Sequence, residues 1–255
     1  MTTVAVSGAG GRMGSLVAGT VVGATGLDLI GLYDPNHVGE TIAGVAVVGS
    51  VDELPASDII VEFTVPEVGM GNLEAWHRQG RHAVVGTSGF DAARLAELDS
   101  LWPSGPPNCL VVPNFSIGAV VMMKLAEIAA PHFEAAEVIE LHHDKKADAP
   151  SGTALATASS IAARNPGRRA VTSAESVPGA LGAQVDGVPV HSVRLPGLVA
   201  HQEVLFGSLG ETLTIRHDTT DRRAFMSGVM AAIAAVASLP NPVTVGLAAV
   251  LGLED

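Results

Sequence analysis

The sequence is poor in cysteine, in aromatic residues and in positive charge. It has a single cysteine, Cys109, only three lysines, and 4% Phe, Trp and Tyr. One cysteine cannot form an intrachain disulfide, which is typical of a protein kept in a reducing compartment. Because 14 basic residues are set against 26 acidic ones, for a formal net charge of −12, the composition argues against a general DNA- or RNA-binding surface.

The sequence also lacks a long hydrophobic run. The most membrane-like stretch, from Ala224 to Leu239, has 16 residues and is interrupted by Ser227, Gly228 and Ser238. A membrane-spanning helix needs about 20 consecutive apolar residues, so a buried helix is the better interpretation. Strand-like sequence begins at Thr3, so no signal peptide is predicted. We therefore expect a soluble, cytoplasmic protein that does not bind membranes.

What is present is enough apolar sequence for a sizeable core, since 47% of the 255 residues are apolar. The first half alternates short β-rich runs with helical stretches. The predicted strands are Val4–Ser7, Asp28–Tyr33, Asp58–Phe63, His82–Val85 and Cys109–Val112, and the predicted helices are Arg12–Val22, Pro66–Gln79 and Asp91–Trp102. Such alternation predicts βαβ units and a parallel sheet that is covered on both faces.

The pattern changes after Asn114, which indicates a second domain. Further strands are predicted at Glu137–His142, Val190–Leu195, Gln202–Phe206 and Thr212–His217, with helices at Gly118–Ala130 and Ser151–Arg164 and a long loop over residues 165–187. Adjacent strands without helices between them predict a mixed or antiparallel sheet, and the apolar helix Asp221–Leu239 is expected to pack back on the first sheet.

The expected fold class is therefore α/β. We predict a Rossmann-like dinucleotide-binding domain, formed by residues 1–114 and 218–255, and a smaller α+β domain with a mixed sheet, formed by residues 115–217.

The glycine loop after the first strand predicts nucleotide binding. Gly8, Gly11 and Gly14 have G-x-x-G-x-x-G spacing, which lets the backbone approach a pyrophosphate at a helix N-terminus. Asp34 ends the second strand, 20 residues after Gly14, where a carboxylate can accept hydrogen bonds from a ribose. A plain strand-to-helix turn remains the alternative for the loop, and a plain turn at Asp34-Pro35-Asn36 the alternative for the acid.

Two further turns follow predicted strands, at the strand ends where ligands bind in open α/β sheets. They are the segment from Gly86 to Gly89 and the segment from Val112 to Phe115. They are candidate walls for the nicotinamide half of a cofactor, although each is also readable as an ordinary loop.

The segment from Glu140 to Thr153 concentrates two of the nine histidines and two of the three lysines. If the strand continued through His142 and His143, their side chains would point to opposite faces and hold different roles. The following Pro150-Ser151-Gly152-Thr153 opens a helix, and its free N–H groups form a seat for a carboxylate or phosphate. A solvated charged loop is the alternative. A metal site is disfavoured by the adjacent lysines, so we predict none.

Taken together, these motifs resemble the 4-hydroxy-tetrahydrodipicolinate reductase (dihydrodipicolinate reductase) family of the diaminopimelate route to lysine. The resemblance covers essentially the whole chain and is most specific in the stretch from His142 to Thr153. It is carried by the loop Gly8–Gly14, Glu62–Thr64, Val85–Phe90, Pro113–Gly118, the pair His142-His143, and Lys146–Thr153, while Val199–Val204 is similar to the actinobacterial branch.

The resemblance implies NADH or NADPH as cofactor, a small dicarboxylate as substrate and a homotetramer. It implies that His142 is the catalytic acid/base, that Lys146 is a proton donor, and that His143, Gly152 and Thr153 contact the substrate. The cofactor site it implies is lined by Gly8, Ala9, Gly10, Gly11, Arg12, Met13, Asp34, Gly86, Thr87, Ser88, Val112, Pro113, Asn114 and Phe115.

This chain departs from the family pattern at Asp144, where Arg or Pro is usual, and at Lys145, where His is usual. The register from Ala147 onward favours Lys146 over Lys145 as the donor. Two other functions remain as alternatives: a two-domain nicotinamide enzyme that acts on an amino acid, such as an aspartate dehydrogenase, and a redox-sensing regulator, for which the sequence offers no basic DNA-reading element.

Overall fold

The structure is a computed structural model and describes residues 1–169 and 172–253. Its strands are β1 Thr2–Ser7, β2 Leu27–Tyr33, β3 Thr41–Ile42, β4 Val45–Val48, β5 Ile59–Glu62, β6 His82–Val85, β7 Cys109–Val111, β8 Ala135–His142, β9 Ala183–Val185, β10 Val188–Arg194, β11 Ala200–Ser208, β12 Glu211–Thr219 and β13 Val243–Val245. Its helices are α1 Arg12–Val22, α2 Pro66–Arg78, α3 Ala92–Leu101, α4 Ile117–Ala129, α5 Gly152–Arg164, α6 Met226–Ala235 and α7 Ala248–Leu251.

The chain forms two compact units. The first comprises Met1–Phe115 together with the chain from Phe225 onward, and the second comprises Ser116–Ala224. Residues 218–224, which the sequence assigned to the first domain, belong to the second unit, because β12 extends to Thr219. Residues 254 and 255 of the expected first domain lie outside the described residues.

The first unit is built on an eight-stranded sheet with the order β13-β7-β6-β5-β1-β2-β4-β3. The pairs from β13 to β4 are parallel, and only the β3–β4 pair is antiparallel. Helices α2 and α3 cover one face through Leu73, Trp76, Leu98 and Trp102, which pack in one core cluster with Ile60. Helices α1 and α6 contact each other and strands of the same sheet. This arrangement confirms the predicted Rossmann-like α/β class.

The second unit contains a five-stranded mixed sheet with the order β12-β11-β8-β10-β9. Strands β8 and β10 pair in parallel, whereas β11 is antiparallel to both β8 and β12. Helices α4 and α5 cover one face of this sheet. Their Ala126, Ala154 and Ile161 share a core cluster with Val138 and Phe206 of the strands. The hairpin between β11 and β12 turns at Leu209-Gly210, where Gly210 has φ of +85°.

Three local predictions need correction. The single helix expected over Asp221–Leu239 is instead α6 flanked by short 3-10 helices at Arg222–Phe225 and Val236–Ser238. The expected loop over residues 165–187 contains β9, and its residues 170 and 171 lie outside the described residues. The two short strands β3 and β4 were not predicted, because a two-residue and a four-residue strand leave too little periodicity to detect.

No helix in the described part of the chain is both long and apolar enough to cross a membrane.

The end of the α6 segment is tied to the first sheet by a buried amide. The side-chain Nδ2 of Asn108 donates to the carbonyls of Val236, at 3.1 Å, and Leu239, at 3.0 Å. These two bonds satisfy carbonyls where the helical segment stops, and Asn108 itself is only 5% exposed.

We predict that Asn108→Ala lowers the free energy of unfolding by about 2 kcal/mol, because it leaves two carbonyls without their donor. Thermal and urea unfolding of the purified protein measure this change. Ser238→Ala is the matched control: its exposed hydroxyl donates to a carbonyl of the same segment, and its loss should cost about 0.5 kcal/mol or less. Equal stability of the two variants would contradict the anchoring role of Asn108.

Candidate active site

The first unit brings its predicted binding loops to one edge of the sheet. Strands β1, β5, β6 and β7 are parallel neighbours, so the loops that follow them emerge side by side. The glycine loop follows β1, the Gly86–Ser88 turn follows β6, and Val112–Phe115 follows β7. All the cofactor-lining residues expected from the sequence therefore lie at one edge, the position where open α/β sheets bind ligands.

The glycines of the first loop are required by its geometry. Gly8 has φ of +77°, and a Cβ on it would lie 2.6 Å from the carbonyl oxygen of Phe63. A Cβ on Gly14 would lie 2.1 Å from the carbonyl oxygen of Gly8, so the first turn of α1 packs directly on the loop. Helix α1 begins after Gly11 without a side-chain cap and without an acidic residue in its first turn. Its N-terminal N–H groups are therefore suited to an anion.

Asp34 follows β2 beside the glycine loop and is 6% exposed. Its Oδ2 accepts from the backbone N–H of Gly10 at 3.0 Å, and its Oδ1 accepts from the N–H of Asn36 at 3.0 Å. These bonds fix the carboxylate at the end of β2, where a dinucleotide-binding acid accepts from the ribose hydroxyls. His37 was not among the predicted site residues, although the loop over residues 35–40 could bring it to a 2′-phosphate. Its Nδ1 lies 3.2 Å from Oδ2 of Asp34.

The turns after β5, β6 and β7 form one aromatic wall that the sequence did not reveal. The rings of Phe63 and Phe115 lie 5.4 Å apart, and a Cβ on Gly86 would collide with both of them. Phe63 was missed as a site residue, although its position directly after a buried strand was a usable signal. Phe115 is buried, Ser88 is exposed, and Thr87 is 6% exposed.

A buried carboxylate supports the turn after β5. Glu62 is fully buried and accepts from the N–H of Thr64 at 2.9 Å and from the indole Nε1 of Trp76 at 2.9 Å. Asn72 donates to the same carboxylate at 3.3 Å. Four donors from the turn and from α2 thus hold this strand end, because the hydroxyl of Thr64 also donates to Glu62. A buried carboxylate needs such partners to offset its desolvation.

These observations fit a nicotinamide dinucleotide. The uncapped start of α1 suits a pyrophosphate, and the fixed carboxylate of Asp34, which is bonded to the N–H of Gly10 in the same loop, suits a ribose. Arg12 and Met13, the first two residues of α1, are exposed and half-buried, respectively.

The second cluster lies in the second unit, around the end of β8. His142 is the last residue of this strand, so His143 already belongs to the turn that follows. The predicted strand end at His142 is confirmed, so the condition that the strand continues through both histidines is not met. The side chain of His142 points to the same face as Ala136 and Val138 of the core, and its Nδ1 lies 2.5 Å from Oε2 of Glu140.

Glu140 is the centre of this cluster, and sequence reasoning assigned it no role. It is fully buried, and Arg194 holds it with two hydrogen bonds, from Nη1 to Oε2 at 2.8 Å and from Nη2 to Oε1 at 2.7 Å. The N–H of Ser151, just before α5, donates to Oε1 at 3.1 Å. A single carboxylate therefore joins His142, Arg194 and the start of α5.

Arg194 was also missed, because it lies 52 residues after His142 in the sequence. The parallel register of β8 and β10 pairs these two residues directly. Arg194 also donates from Nη2 to the carbonyl of Asp148 at 2.7 Å, which fixes the polar loop between β8 and α5. No local motif in the sequence could have indicated this contact.

The charges of the cluster shift its pKa values in definite directions. Burial lowers the pKa of His142, and the charges of Lys146 and Arg194 lower it further, against an opposing effect of Glu140. Burial raises the pKa of Glu140, but the hydrogen bonds from Arg194, Ser192 and His142 outweigh it, so that the pKa lies below its ordinary value. At neutral pH, Glu140 is therefore a carboxylate. A neutral His142 carries its proton on Nδ1 and donates it in the hydrogen bond to Glu140.

The lysines that follow differ in their contacts. The ammonium of Lys146 lies 2.7 Å from Oδ1 of Asp148, and its side chain is 22% exposed. That hydrogen bond lowers the pKa of Asp148. Lys145 is exposed, as is Asp144. The backbone turn from His143 to Lys146 is closed by a hydrogen bond between Lys146 N–H and the His143 carbonyl, at 3.2 Å.

Helix α5 is capped at its N-terminus by the side chain of Ser151, and its first residue, Gly152, is exposed. The hydroxyl of Ser151 accepts from the N–H of Ala154 at 3.2 Å, which is N-cap geometry. Gly152 is exposed, and a Cβ on it would meet no atom within 4 Å. Thr153 is half-buried. Around the Glu140 carboxylate the structure brings together His142, Arg194 and the N–H of Ser151. His143 and Lys146 lie in the turn between β8 and α5, and Gly152 and Thr153 lie in the first turn of α5.

Comparisons with known proteins agree on one family. The family descriptions "Dihydrodipicolinate reductase, N-terminus" and "Dihydrodipicolinate reductase, C-terminus" match residues 2–115 and 118–251. The chain belongs to the dihydrodipicolinate reductase family. It is 48% identical over 258 residues to the 4-hydroxy-tetrahydrodipicolinate reductase of Thermobifida fusca, covering 99% of this chain and 100% of the relative.

Two further comparisons support this family. The 4-hydroxy-tetrahydrodipicolinate reductase of Nocardia farcinica is 49% identical over 249 residues, covering 96% of each chain. The solved structure of a dipicolinate-bound dihydrodipicolinate reductase from Paenisporosarcina sp. TG-14 superposes with a TM-score of 0.85 at 37% identity, covering 97% of this chain and 98% of that one. The family resemblance and the NADH or NADPH cofactor expected from the sequence are confirmed.

We predict that Glu140→Gln lowers the pKa of His142 further, since it removes the negative charge that opposes the other shifts. The titration of His142 in an NMR spectrum measures this directly. We also expect at least a tenfold lower kcat, because the orientation of the imidazole is lost.

Glu137→Gln is the matched control for this experiment. It lies on the same strand and also pairs with a histidine, His191, at 2.9 Å, but its side chain is 38% exposed. This variant should leave both the kcat and the titration of His142 unchanged. An unchanged His142 titration in Glu140→Gln would contradict the orienting role of the buried carboxylate.

Proposed function

We propose that this protein reduces 4-hydroxy-tetrahydrodipicolinate to tetrahydrodipicolinate with NADH or NADPH, in the diaminopimelate route of lysine biosynthesis. The observation that carries this proposal is the Glu140-centred cluster of His142, Arg194 and the start of α5, which joins acid/base groups to an anion seat. The same chain holds a dinucleotide loop, and both of its halves match the reductase family.

The open start of α5 is suited to a carboxylate of a small dicarboxylate substrate. The N–H groups of Gly152 and Thr153 belong to the first turn of α5, where the helix dipole gives a partial positive charge. His143 lies in the turn beside the cluster and is the proposed third contact. In this scheme the second unit binds the substrate and the first binds the dinucleotide.

Lys146 and His142 divide the proton chemistry. Loss of the 4-hydroxyl group as water gives the unsaturated dihydrodipicolinate ring. A bound NADH or NADPH would supply a hydride to C4 of that ring, and the ring nitrogen must then gain a proton. Lys146 supplies it, because its ammonium sits in the turn that leads to the anion seat and is oriented by Asp148. His142 is neutral at pH 7 and acts as the acid/base group next to it, with its Nδ1 proton held by Glu140.

The dinucleotide contacts are proposed from Gly8 to Met13, at Asp34, from Gly86 to Ser88 and from Val112 to Phe115. Asp34 supports NADH at least as well as NADPH near neutral pH, because a carboxylate accepts from a 2′-hydroxyl and repels a 2′-phosphate. The next residue is Pro35, so no arginine stands there to bind a phosphate. We also propose that the protein is located in the cytoplasm, since its single cysteine, Cys109, is a free thiol, as is typical of a reducing compartment.

The outer face of the second sheet supports a homotetramer. Ile139 and Leu141 of β8, Val193 of β10 and Leu205 of β11 alternate with the core-facing residues of their strands and are only half-buried. Within the described residues, both helices of this unit pack on the opposite face. An aliphatic sheet face of this kind is a surface for subunit contacts.

A coupled assay tests the proposed activity. Dihydrodipicolinate synthase generates the unstable substrate in place, and the absorbance of NADH or NADPH is followed. Oxidation that requires the synthase product supports the proposal. Competitive inhibition by pyridine-2,6-dicarboxylate, the ligand of the related solved structure, supports the dicarboxylate seat. Ammonia-dependent turnover of an amino acid, without a response to that inhibitor, would instead favour an amino-acid dehydrogenase.

We predict that Lys146→Ala lowers kcat by about 10²-fold while the affinity for NADH is nearly unchanged, because the ammonium acts on the reacting ring. Steady-state kinetics and a dinucleotide titration measure the two effects. Lys145→Ala is the control: this exposed neighbour should stay within about threefold of the parent. A crippled Lys145 variant beside an active Lys146 variant would reverse the assignment.

We predict that Leu141→Asp breaks the homotetramer into smaller species, because it buries a charge in the proposed sheet-to-sheet contact. Light scattering coupled to size exclusion measures the mass. Leu209→Asp, at a turn where the side chain is 96% exposed, should leave the parent mass unchanged. A parent protein that is monomeric would itself overturn the tetramer.

A further inference from the structure

We propose that His37 sets the preference of this protein between NADH and NADPH through the charge on its imidazole beside Asp34. This inference rests on the dinucleotide binding described above and deepens it, since it names the residue that discriminates between a 2′-hydroxyl and a 2′-phosphate. Four observations carry it: the contact with Asp34, the fit against the glycine loop, the anchoring of its turn and the local balance of charge.

The imidazole of His37 packs against both Asp34 and the glycine loop, the two features proposed to bind the adenosine part of the cofactor. Its Nδ1 lies 3.2 Å from Oδ2 of Asp34, and a Cβ on Gly10 would lie 2.1 Å from the same nitrogen. The ring therefore occupies the space left by the missing side chain of a glycine-loop residue. Nδ1 is buried and has no hydrogen-bond partner among the described residues, although it lies at ion-pair distance from Asp34.

The backbone holds His37 at this place. Its N–H donates to the carbonyl of Asp34 at 3.1 Å, and its own carbonyl accepts from Glu40 at 3.1 Å. This turn is also bonded to β4, because the N–H of Asp34 donates to the carbonyl of Val48 at 3.1 Å. The position of the ring beside Asp34 is thus fixed by the β2–β4 pairing and not by the side chain alone.

The charge of His37 decides what Asp34 offers to the cofactor. Both oxygens of Asp34 accept only backbone N–H groups, so with a neutral imidazole its negative charge is uncompensated. That state favours a ribose 2′-hydroxyl and repels a 2′-phosphate. Protonation of His37 places a positive charge next to the carboxylate and offsets this repulsion. Because a histidine side chain gains its positive charge by protonation, selectivity should move toward NADPH as the pH falls.

The other charged groups near this turn are few. Arg12 is exposed at the start of α1, after the glycine loop on which His37 packs, and Glu40 is exposed at the end of the turn. The side chain of Tyr33, next to Asp34, stays neutral, since burial and the charges of Glu62 and Asp34 raise its pKa. Within the described residues, Asp34 is the charged side chain recorded at ion-pair distance from His37.

The experiment measures the dissociation constants of NADH and NADPH for the full chain by fluorescence titration, at about pH 6 and about pH 8. The readout is the selectivity, the ratio of the two constants, in the parent and in His37→Gln. We expect similar selectivity at the higher pH. At the lower pH, the selectivity of the parent should be shifted toward NADPH by about fivefold or more relative to the selectivity of His37→Gln. The 2′-phosphate itself takes up a proton near pH 6, but this effect is common to both proteins.

Two further variants sharpen the test. His37→Arg carries its charge at every pH and should favour NADPH at both values, whereas His132→Gln, an exposed histidine of the second unit, should match the parent. A His37→Gln variant with the same pH-dependent selectivity as the parent overturns the proposal. A parent protein that binds neither dinucleotide overturns the cofactor assignment as well, so the two failures are distinguishable.

Discussion

The buried carboxylate of Glu140 is the constraint on which the side-chain cluster at the end of β8 depends. A charge with no exposure to solvent is costly unless its oxygens are fully hydrogen-bonded and a cation is near. Glu140 meets this requirement with Arg194, His142 and the N–H of Ser151. Each partner comes from a different segment of the chain, so satisfying one carboxylate fixes a strand, a neighbouring strand and a helix start relative to one another. The geometry of the proton-transfer groups follows from this electrostatic need.

The dinucleotide-binding unit is organised differently. Its loops are positioned by close contacts at glycines, where the second unit uses hydrogen bonds to one buried side chain. Gly14 allows α1 to rest on the carbonyl of Gly8, Gly86 makes room for two aromatic rings, and Gly10 makes room for His37. The glycines have no side chains of their own, and side chains from the segments that follow neighbouring strands fill the space beside them. The same logic explains the uncapped helix start, where an anion takes over the role of the N-cap side chain.

The sequence allowed prediction of features with a local signature. The parallel sheet was readable from strand–helix alternation, the phosphate loop from glycine spacing, and the histidine–lysine segment from its composition. Partners that come from distant segments could not be predicted: Arg194 meets Glu140 only through the register of β8 with β10, and Phe63 meets Phe115 only through sheet order. The short β3 and β4 and the 3-10 interruptions around α6 lack enough residues to establish a period.

The pairing of Arg194 with His142 has a consequence for how this protein can be altered. The long segment over residues 165–187 leads into β10, and none of its residues that the structure describes contributes a hydrogen bond to Glu140. The part of the segment that precedes β9 can therefore vary in length, whereas β9 and β10 are held by their pairing, and a shift of one residue along β10 would turn Arg194 to the opposite face of the sheet. Insertions of foreign sequence before β9, such as a fused reporter domain, should leave the proposed proton-transfer groups in register as long as β10 still begins at Val188.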